Sequence, residues 1–387
     1  MREIEIAGNR IADDSAAYVI AEIGHNHEGS LTKAEELFRK AAEAGASAAK
    51  LQKRHNRTLF TREMFHQPYT GKNSYGATYG EHREFLEFGH DEYAYLIKVA
   101  QELGIDFFAT AFDLPSVDFL AELDMPAIKI ASADVTNTPL LRYAAGTGKP
   151  LIVSTGGATM DEVRRAVETI LPVNSRLALL QCTAVYPAAP EDLNLSVIET
   201  YRREFPEVVV GFSGHDLGNE ASALAYSVGA RVVEKHFTLD QTRPGSDHHF
   251  SLDPPLLAKL TASLERTRAA LGSPVKVCSE REAPAVRKMG KKLVAASDLA
   301  AGHTVTEADI AYRSPGDGMK PYRTGELLGR VLAQPLPADG AFAPELLRPR
   351  TKSAETAVNA ETAEAAGSAV AAADPAVAAP PKPDPVG

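Results

Sequence analysis

Two histidines, His215 and His236, are spaced in a way that allows metal chemistry. Each follows a β-branched run, 208–212 or 231–233, and lies in a polar cluster, GFSGHD or EKHFT. The segment between the runs has helical composition, which predicts a crossover whose two strands end at the same edge of one sheet. Two imidazoles at that edge can form an open metal site that polarises a carbonyl and activates water. Two hydrogen-bonded histidines near a surface are the alternative interpretation.

Other polar side chains also lie at or just beyond the carboxyl ends of predicted strands. They are Glu22, Lys50, Thr110, Lys129, Ser132, Ser154, Thr183, Ser213 and Glu234. Two ammonium groups and several hydroxyls at one rim are typical of a site for a phosphate-bearing ligand, since each anionic oxygen needs a donor. Schiff-base formation is the alternative chemistry for either lysine. The two glutamates are candidates for acid–base catalysis, and a salt bridge to a lysine is the alternative for each.

The elements that must position these residues alternate strictly between strand and helix. From AAYVIAEIG to DPPLLAKLTASLERTRAALG we count eight strand–helix units over roughly 270 residues, close to the usual size of a (β/α)₈ TIM barrel. A doubly wound open sheet is the competing α/β fold, but the glycine-rich first turn of that fold is missing. The long segments 54–81, 184–192 and 239–251 are predicted to cover the site, the first as a substrate-facing lid.

The pattern changes after the last helix of the predicted barrel. We predict a TIM-barrel catalytic domain over 1–272, a linker over 273–289 and a second small domain of short strands, turns and a small helix over 290–349. Residues 350–387 consist mainly of Ala, Glu, Pro and Val without an aromatic residue. A segment of this composition cannot bury a core, so we predict a disordered tail.

Bulk composition narrows the function classes. A net charge of −10 without a basic run argues against nucleic-acid binding. The two cysteines provide no disulfide framework and suit a reducing cytosol, with Cys182 in the core rather than acting as a nucleophile. The N-terminus lacks an apolar signal segment, and no stretch approaches membrane-spanning length. We therefore expect a cytoplasmic protein that binds neither nucleic acid nor membrane.

Several motifs are similar to those of the sialic acid synthases, which condense phosphoenolpyruvate with an N-acylated mannosamine. The matching motifs are AEIGHNHEGSL, AAKLQK, KIASADVTNTPLL, GKPLIVSTGGAT, LLQCTAVYPAAPEDLNL, GFSGHDLG and EKHFTLDQTRPGSDHHFSL, in the order of the family. The segment KKLVAASDLAAGHTVTEADI resembles the family's antifreeze-like (β-clip type) domain. The resemblance thus covers nearly the whole chain except the tail.

The resemblance implies roles for particular residues. His215 and His236 would hold a divalent metal, usually Mn²⁺ in the family, with Mg²⁺ or Co²⁺ as alternatives. Phosphoenolpyruvate would contact Lys50, Thr110, Lys129, Ser132, Ser154 and Ser213, and the sugar would contact Gln52, Asn73, Tyr186, Asp247 and Arg313. Glu22 and Glu234, together with the two histidines, would form the catalytic set. The small domain of one subunit would cap the barrel of the other in a domain-swapped homodimer.

The chain also departs from the family pattern. Ala184 replaces the usual Asn or Ser, and Arg313 stands one place early in its turn, with Ser314 in the expected position. The predicted lid is closer to animal members, which use the sugar 6-phosphate. Lys72, His82 and Arg83 could bind such a phosphate or form a solvated loop face.

The substrate therefore stays open between N-acetylmannosamine, which would give N-acetylneuraminate, and its 6-phosphate, which would give the 9-phosphate. A synthase for a related nonulosonic acid of the legionaminate or pseudaminate type is an alternative. A Schiff-base sugar-acid aldolase and a non-catalytic carbohydrate- or ice-binding protein are further alternatives of other classes.

Overall fold

The structure is a computed structural model that describes residues 2–349. The chain divides into two compact units, the first ending at Pro274 and the second beginning at Val275. The predicted disordered tail, 350–387, lies outside the described residues. Among those described, no helix is long and apolar enough to cross a membrane.

The first unit is built around a closed parallel barrel. Its strands are β1 (Glu3–Ile6), β2 (Asn9–Ala12), β3 (Tyr18–Gly24), β4 (Ala48–Lys53), β5 (Asp106–Ala111), β6 (Ile128–Ile130), β7 (Leu151–Ser154), β8 (Leu177–Cys182), β9 (Val209–Gly214) and β10 (Val232–His236). Strands β3 to β10 pair in chain order, and β10 pairs with β3 to close the barrel. The predicted TIM barrel is confirmed.

Helices surround the barrel and fill the connections between its strands. They are α1 (Leu31–Glu43), α2 (Asn56–Leu59), α3 (Arg62–His66), α4 (Tyr79–Leu86), α5 (His90–Leu103), α6 (Leu114–Glu122), α7 (Thr138–Gly146), α8 (Met160–Ile170), α9 (Val197–Glu204), α10 (Glu220–Ser227) and α11 (Pro254–Leu271). The segment 54–81, predicted as a loop, contains α2, α3 and the start of α4. Short 3₁₀ turns follow β6, β8 and β10 at Ser132–Asp134, Pro190–Asp192 and His248–Phe250.

Local sequence explains where several of these helices begin. Ser30 accepts a hydrogen bond from Lys33 N at the start of α1, and Thr159 forms a capping box with Glu162 at the start of α8. Asp253 caps α11, whose first turn contains proline. These side chains satisfy amide groups that have no partner inside the helix. These three helices therefore start at a defined residue, which fixes the length of the loop that precedes each of them.

The barrel interior is closed at the amino-terminal ends of its strands. There the hairpin of β1 and β2 contributes Ile4, Ile6 and Ile11 to an apolar cluster with residues of the barrel strands. Those strand residues include Tyr18, Ile20, Ala48, Phe108, Ile152, Leu180, Val209 and Val232. A second and larger apolar cluster contains the alternate strand residues and the inner faces of the helices. The barrel therefore opens only toward the carboxyl ends of its strands, where the predicted site lies.

The second unit has its own small core. It contains α12 (Ala283–Met289) and the antiparallel pair β11 (Lys292–Ala295) and β12 (Ile310–Arg313). Its buried side chains include Leu293, Ile310, Leu327, Leu332 and Phe342. In place of the predicted small helix there are 3₁₀ turns, at Glu307–Asp309, Pro321–Glu326 and Pro344–Leu346. The predicted linker, expected to be partly extended, contains α12.

Candidate active site

A cavity of about 360 Å³ opens at the carboxyl ends of the barrel strands. It is lined by Glu22, His25, Gln52, Arg54, Arg83, Thr110, Phe112, Lys129, Ala131, Ser132, Ala133, Ser154, Gly156, Ala184, Tyr186, His215, His236, Ser246 and Asp247. Most of the predicted site residues are among them. Lys50, Ser213 and Glu234 are buried against the lining residues, as the contacts below show.

The two predicted ammonium groups lie inside the barrel mouth and are both buried. Lys50 donates a hydrogen bond of 2.8 Å to Thr110 Oγ1, and its Nζ forms a close ion pair with Glu22 Oε2. Lys129 donates to the carbonyl of Ile130 over 3.0 Å. Burial lowers the pKa of the Lys129 ammonium, because a low-dielectric environment disfavours the charged form. The two lysines therefore place positive charge where it is poorly solvated.

Glu234 lies between these two lysines. Its Oε1 is 3.9 Å from Lys129 Nζ, its Oε2 is 3.9 Å from Lys50 Nζ, and Ser213 Oγ donates to Oε1 over 3.2 Å. Burial acts to raise the pKa of this carboxyl, but the two ammonium groups outweigh it and hold the pKa below its ordinary value. Glu234 is thus an ionised carboxylate whose charge is balanced by the two ammonium groups.

The rings of the two predicted metal-binding histidines lie close together at the cavity. The ring centroids of His215 and His236 are 5.4 Å apart, and Phe250 packs against His236 at 4.9 Å. His215 Nδ1 is 2.9 Å from the carbonyl of Thr183, which fixes the proton on Nδ1 and leaves Nε2 as the free acceptor. Burial lowers the pKa of His215 to about 4, so the ring is neutral at pH 7.

A buried ion pair holds the two histidine-bearing strand ends together. Lys235, next to His236, donates to both the carbonyl and the carboxylate of Asp216, next to His215, over 2.6 and 2.8 Å. Lys235 is 1% exposed and Asp216 is 4% exposed. Removing one partner of such a pair leaves an uncompensated buried charge. The GHD and EKH motifs thus supply both the imidazoles and the contact that fixes their spacing.

The histidine pair fits a divalent cation. His236 Nδ1 is buried without a hydrogen-bond partner, 3.8 Å from Asp247 Oδ2, and His215 has a free Nε2. A metal-binding histidine ordinarily donates its other ring N–H to a carbonyl or carboxylate, as His215 does here. Within residues 2–349 there is no group of three or more His, Cys, Asp or Glu side chains arranged to hold a metal ion. A cation bound by the two imidazoles would therefore keep several coordination positions open.

Three further buried polar atoms at the cavity lack a hydrogen-bond partner: Ser154 Oγ, Glu22 Oε2 and Glu234 Oε2. The two carboxylate oxygens face Lys50 Nζ as ion pairs, whereas Ser154 Oγ has neither kind of partner. Buried polar groups are nearly always satisfied in folded proteins. By contrast, Ser132 Oγ accepts a hydrogen bond from Gly156 N over 2.9 Å. The unpaired atoms indicate that the site is completed by a polar ligand.

The predicted sugar-contacting residues divide into three groups. Gln52 and Asp247 line the cavity together with Tyr186, whose ring lies 4.0 Å from that of His215. Asn73 lines a neighbouring cavity of about 80 Å³. Arg313 belongs to the second unit, where its Nη1 is 3.0 Å from Asp339 Oδ1. Its role in sugar binding stays a prediction.

Three polar residues of the lining were absent from the sequence-based site: His25, Arg54 and Ser246. Arg83, which also lines the cavity, was considered from the sequence either as a phosphate-binding residue or as part of a solvated loop face. His25 and Arg54 directly follow β3 and β4, so position after a strand end was a usable signal. Arg83 lies on α4, and only the path of the long segment brings it to the cavity.

Comparison with known proteins agrees with this geometry. The model of the NeuB family matches residues 37–276, and that of the SAF domain matches residues 292–348. The chain belongs to the NeuB family. The resemblance to the sialic acid synthases, and with it the assignment of the chain as an enzyme, is confirmed. The SAF domain corresponds to the predicted antifreeze-like domain, which is also confirmed.

Curated relatives of this NeuB-family chain come from animals and bacteria. The N-acetylneuraminate-9-phosphate synthase of Mus musculus is 42% identical to this chain, and the match covers 79% of this chain and 85% of that protein. The enzyme of the same name from Homo sapiens is 39% identical, and the match covers 89% of this chain and 97% of that protein. N,N'-diacetyllegionaminic acid synthase of Legionella pneumophila is 36% identical over 83% and 92%. Sialic acid synthases and related nonulosonic acid synthases are therefore homologues of this chain.

A solved structure shows the same architecture. The N-acetylneuraminic acid (sialic acid) synthetase of Leptospira borgpetersenii, in complex with citrate, superposes with a TM-score of 0.66 at 33% sequence identity. The match covers 74% of this chain and 95% of that one. The barrel is thus shared with a member of the same enzyme class.

Proposed function

We propose that this enzyme condenses phosphoenolpyruvate with N-acetylmannosamine or its 6-phosphate, giving N-acetylneuraminate or its 9-phosphate and inorganic phosphate. The observation that carries the proposal is the meeting of two buried ammonium groups, two imidazoles and polar atoms without a hydrogen-bond partner at one barrel mouth. An enol phosphate needs cations and hydroxyl donors, and an aldehyde acceptor needs a group that polarises its oxygen. Both requirements meet in this cavity.

The lysines and hydroxyls form the phosphoenolpyruvate side of the site in this proposal. Lys50 and Lys129 neutralise the anionic groups, while Ser154 supplies a hydroxyl that has no protein partner. Thr110 orients Lys50 through their hydrogen bond, and Ser213 orients Glu234. Because these groups stand on rigid strands, they are positioned before the ligand arrives.

The reaction forms one carbon–carbon bond and breaks one carbon–oxygen bond. C3 of the enol attacks the aldehyde carbon of the open-chain sugar, and the aldehyde oxygen takes up a proton to become a hydroxyl. Water adds to C2 with loss of a proton, and the tetrahedral intermediate loses its hydroxyl proton as it expels phosphate with the bridging oxygen and leaves a ketone. Glu22 and Glu234 are the carboxylates placed to receive the proton of the attacking water, since both lie against the phosphoenolpyruvate lysines. Gln52 donates to Glu22 Oε1 over 2.6 Å, which fixes that carboxylate.

His215 and His236 are the residues that would hold a divalent cation, with Mn²⁺ as the first choice and Mg²⁺ or Co²⁺ as alternatives. When bound, the ion would act as a Lewis acid on the aldehyde oxygen. The neutral state of His215 supports this role, because only an unprotonated imidazole can bind a metal.

The relatives favour the phosphorylated sugar. Those with the highest identities reported above are 9-phosphate synthases, at 42% and 39%, whereas the legionaminic acid synthase is 36% identical. The difference is small, so a synthase for a modified nonulosonic acid is the second candidate. A Schiff-base aldolase needs a free neutral amine, but both lysines here lie within 4 Å of a carboxylate.

The test is release of inorganic phosphate from phosphoenolpyruvate with N-acetylmannosamine, its 6-phosphate or mannose, with the product mass recorded. We expect phosphate release with one or both N-acetylated sugars, a nine-carbon keto acid as product and little release with mannose. Release with none of the sugars, or inactivation by pyruvate plus borohydride, would contradict the proposal. Activity restricted to a 2,4-diacetamido sugar would favour the second candidate.

The proposed assembly and location are separate expectations. A domain-swapped homodimer would close the barrel mouth with the second unit of its partner, and Arg313 would then reach the sugar. Size-exclusion chromatography with light scattering tests the dimer. We further propose that the enzyme works in the cytoplasm, where phosphoenolpyruvate is available, and fractionation of cells tests this.

A further inference from the structure

Two arginines face the active-site cavity without a carboxylate partner. Arg54 follows β4 and is 9% exposed, and Arg83 lies on α4, which begins within the segment 54–81 predicted as a lid. Both line the main cavity, and Arg83 also lines the neighbouring one of about 80 Å³. Within residues 2–349, neither guanidinium has a carboxylate oxygen within 4.0 Å. Glu87 and Glu22 stabilise the charge of Arg54 from a longer distance. Two guanidiniums without a direct ion pair at a cavity wall favour an anionic ligand.

His25 lies between the two guanidinium groups and cannot satisfy both. Arg54 Nη1 is 3.1 Å from His25 Nε2, and Arg83 Nη1 is 3.2 Å from His25 Nδ1. A neutral imidazole has one acceptor nitrogen, and a guanidinium only donates. Burial, together with the two arginines, holds the pKa of His25 well below its ordinary value, so a protonated ring is excluded as well. One arginine N–H therefore points at a nitrogen that cannot accept it.

The surroundings hold these donors in place rather than neutralising them. Arg54 Nη2 donates to Gln52 Oε1 over 2.7 Å, and its guanidinium lies 3.7 Å from the ring centroid of Phe112. Arg83 Nε donates to Tyr79 Oη over 2.9 Å. The fork geometry of two fixed guanidiniums suits an oxyanion with several acceptor oxygens, which a phosphomonoester provides.

The remaining cations considered from the sequence do not belong to this cluster. Lys72 is exposed and lines neither cavity. Burial lowers the pKa of His82 to about 4, and its Nδ1 accepts a hydrogen bond from Tyr75 N, so this ring is neutral and organises the segment. The groups able to donate to an anion are thus the guanidiniums of Arg54 and Arg83, and the neutral ring of His25 lies between them.

We infer that Arg54 and Arg83, with His25 between them, form a subsite for the phosphomonoester of a phosphorylated amino-sugar substrate. The inference rests on the proposed function and deepens it by naming the phosphorylated sugar as the substrate class. Phosphoenolpyruvate is the other source of an anionic group in this cavity. The buried pair Lys50 and Lys129, inside the barrel mouth, already supplies two cations for it.

The experiment compares Arg54→Gln and Arg83→Gln with a matched control, Arg57→Gln. Arg57 belongs to the same segment but is exposed and pairs with Glu84 over 3.1 Å. Phosphate release from phosphoenolpyruvate is measured with N-acetylmannosamine 6-phosphate and with N-acetylmannosamine. We expect each test variant to lower the ratio of kcat/KM for the phosphorylated over the free sugar by about 10- to 100-fold, since a hydrogen bond to a charged group is lost. The control should keep the ratio within about twofold.

The possible outcomes separate the two proposals. An unchanged ratio in both variants, or a rise only in KM for phosphoenolpyruvate, overturns the subsite and leaves the proposed function standing. A wild-type enzyme that prefers the free sugar also overturns the subsite alone. No phosphate release with either sugar overturns the proposed function and the subsite with it. Thermal melting checks that the variants fold, and Arg54→Lys, which keeps the charge, should recover part of the ratio.

Discussion

The barrel interior contains two layers of opposite chemistry that are built by the same strands. The lower layer, which we call the floor, consists of the apolar cluster at the amino-terminal ends; the upper layer, the rim, carries the polar side chains. Neighbouring members of the two layers on one strand are Ile20 and Glu22, Ala48 and Lys50, Phe108 and Thr110, Ile152 and Ser154, and Val232 and Glu234. Residues two apart on a strand face the same side, so both layers point into the barrel.

The difference shows how one fold separates stability from chemistry. The floor buries hydrocarbon, which stabilises the folded state by about 25 cal/mol per Å² removed from water. The rim buries charges and leaves Ser154 Oγ and Glu234 Oε2 without hydrogen-bond partners, which costs free energy until a ligand binds. We therefore expect floor substitutions to change stability and rim substitutions to change activity. Substitutions of His236, Phe108, Lys129 and His27 test this separation, with expected effects that decrease in that order.

The largest effect is expected for substitution of His236 in the rim. His236→Ala removes one of the two imidazoles proposed to hold the cation, so phosphate release should fall by about 10⁴-fold or more. The fold should be retained, because the apolar floor is unchanged. Turnover is measured with and without added Mn²⁺, and thermal melting is the control. Near wild-type turnover in the presence of Mn²⁺ would falsify the metal assignment.

The floor is tested by Phe108→Ala, which opens a cavity where a fully buried ring packs against the β1–β2 hairpin cluster. We expect a loss of about 3–5 kcal/mol in the free energy of unfolding, measured in urea. The matched control is Thr110→Val, two residues along the same strand, which should lose much less stability but reduce activity. Equal destabilisation by both would argue against two distinct layers.

An intermediate effect is expected for the rim lysine on β6. Lys129→Ala removes a cation proposed to neutralise phosphoenolpyruvate, so KM for that substrate should rise by about 10- to 100-fold. KM for the sugar should change far less. Steady-state kinetics with each substrate varied in turn measures both constants. An unchanged KM for phosphoenolpyruvate would remove Lys129 from the ligand shell.

The smallest effect concerns pH. Burial lowers the pKa of His27 to about 4, and the ring is stacked on Phe88 at 4.3 Å. Between about pH 6.5 and 4 the unfolded chain binds this proton and the folded protein does not, so the free energy of unfolding falls as pH falls through that window. His27→Asn should reduce the slope of the free energy of unfolding against pH, by at most about 1.4 kcal/mol per pH unit. Urea unfolding at several pH values measures this slope.

The Phe108→Ala variant is the control for the pH dependence of stability, because the floor cluster contains no histidine. It should lower stability by the same amount at every pH and leave the slope unchanged. A changed slope in this variant would show that the two layers are coupled. His215, with a pKa also lowered to about 4, contributes to the same window from the rim.

The sequence predicted the barrel and most of the cavity lining because both depend on local patterns. Eight alternating apolar runs and helices define the closed sheet, and a polar residue after each run marks the rim. The linker and second unit were less predictable, since α12 and the 3₁₀ turns there have only short signals. Arg83 was uncertain for another reason: residues 54–81 fold into short helices, and their path cannot be read from periodicity.

The sequence by itself determined which residue types reach the carboxyl ends of the strands, because side chains alternate with a period of two and parallel crossovers share one edge. Only the tertiary structure decided which of them meet. His25 contacts Arg54 and Arg83 from 29 and 58 positions away, and Ser213 and Glu234 are paired across adjacent strands. Such contacts depend on the register of neighbouring strands and the path of one long connection. Both are set by packing over the whole barrel, and no local segment encodes them.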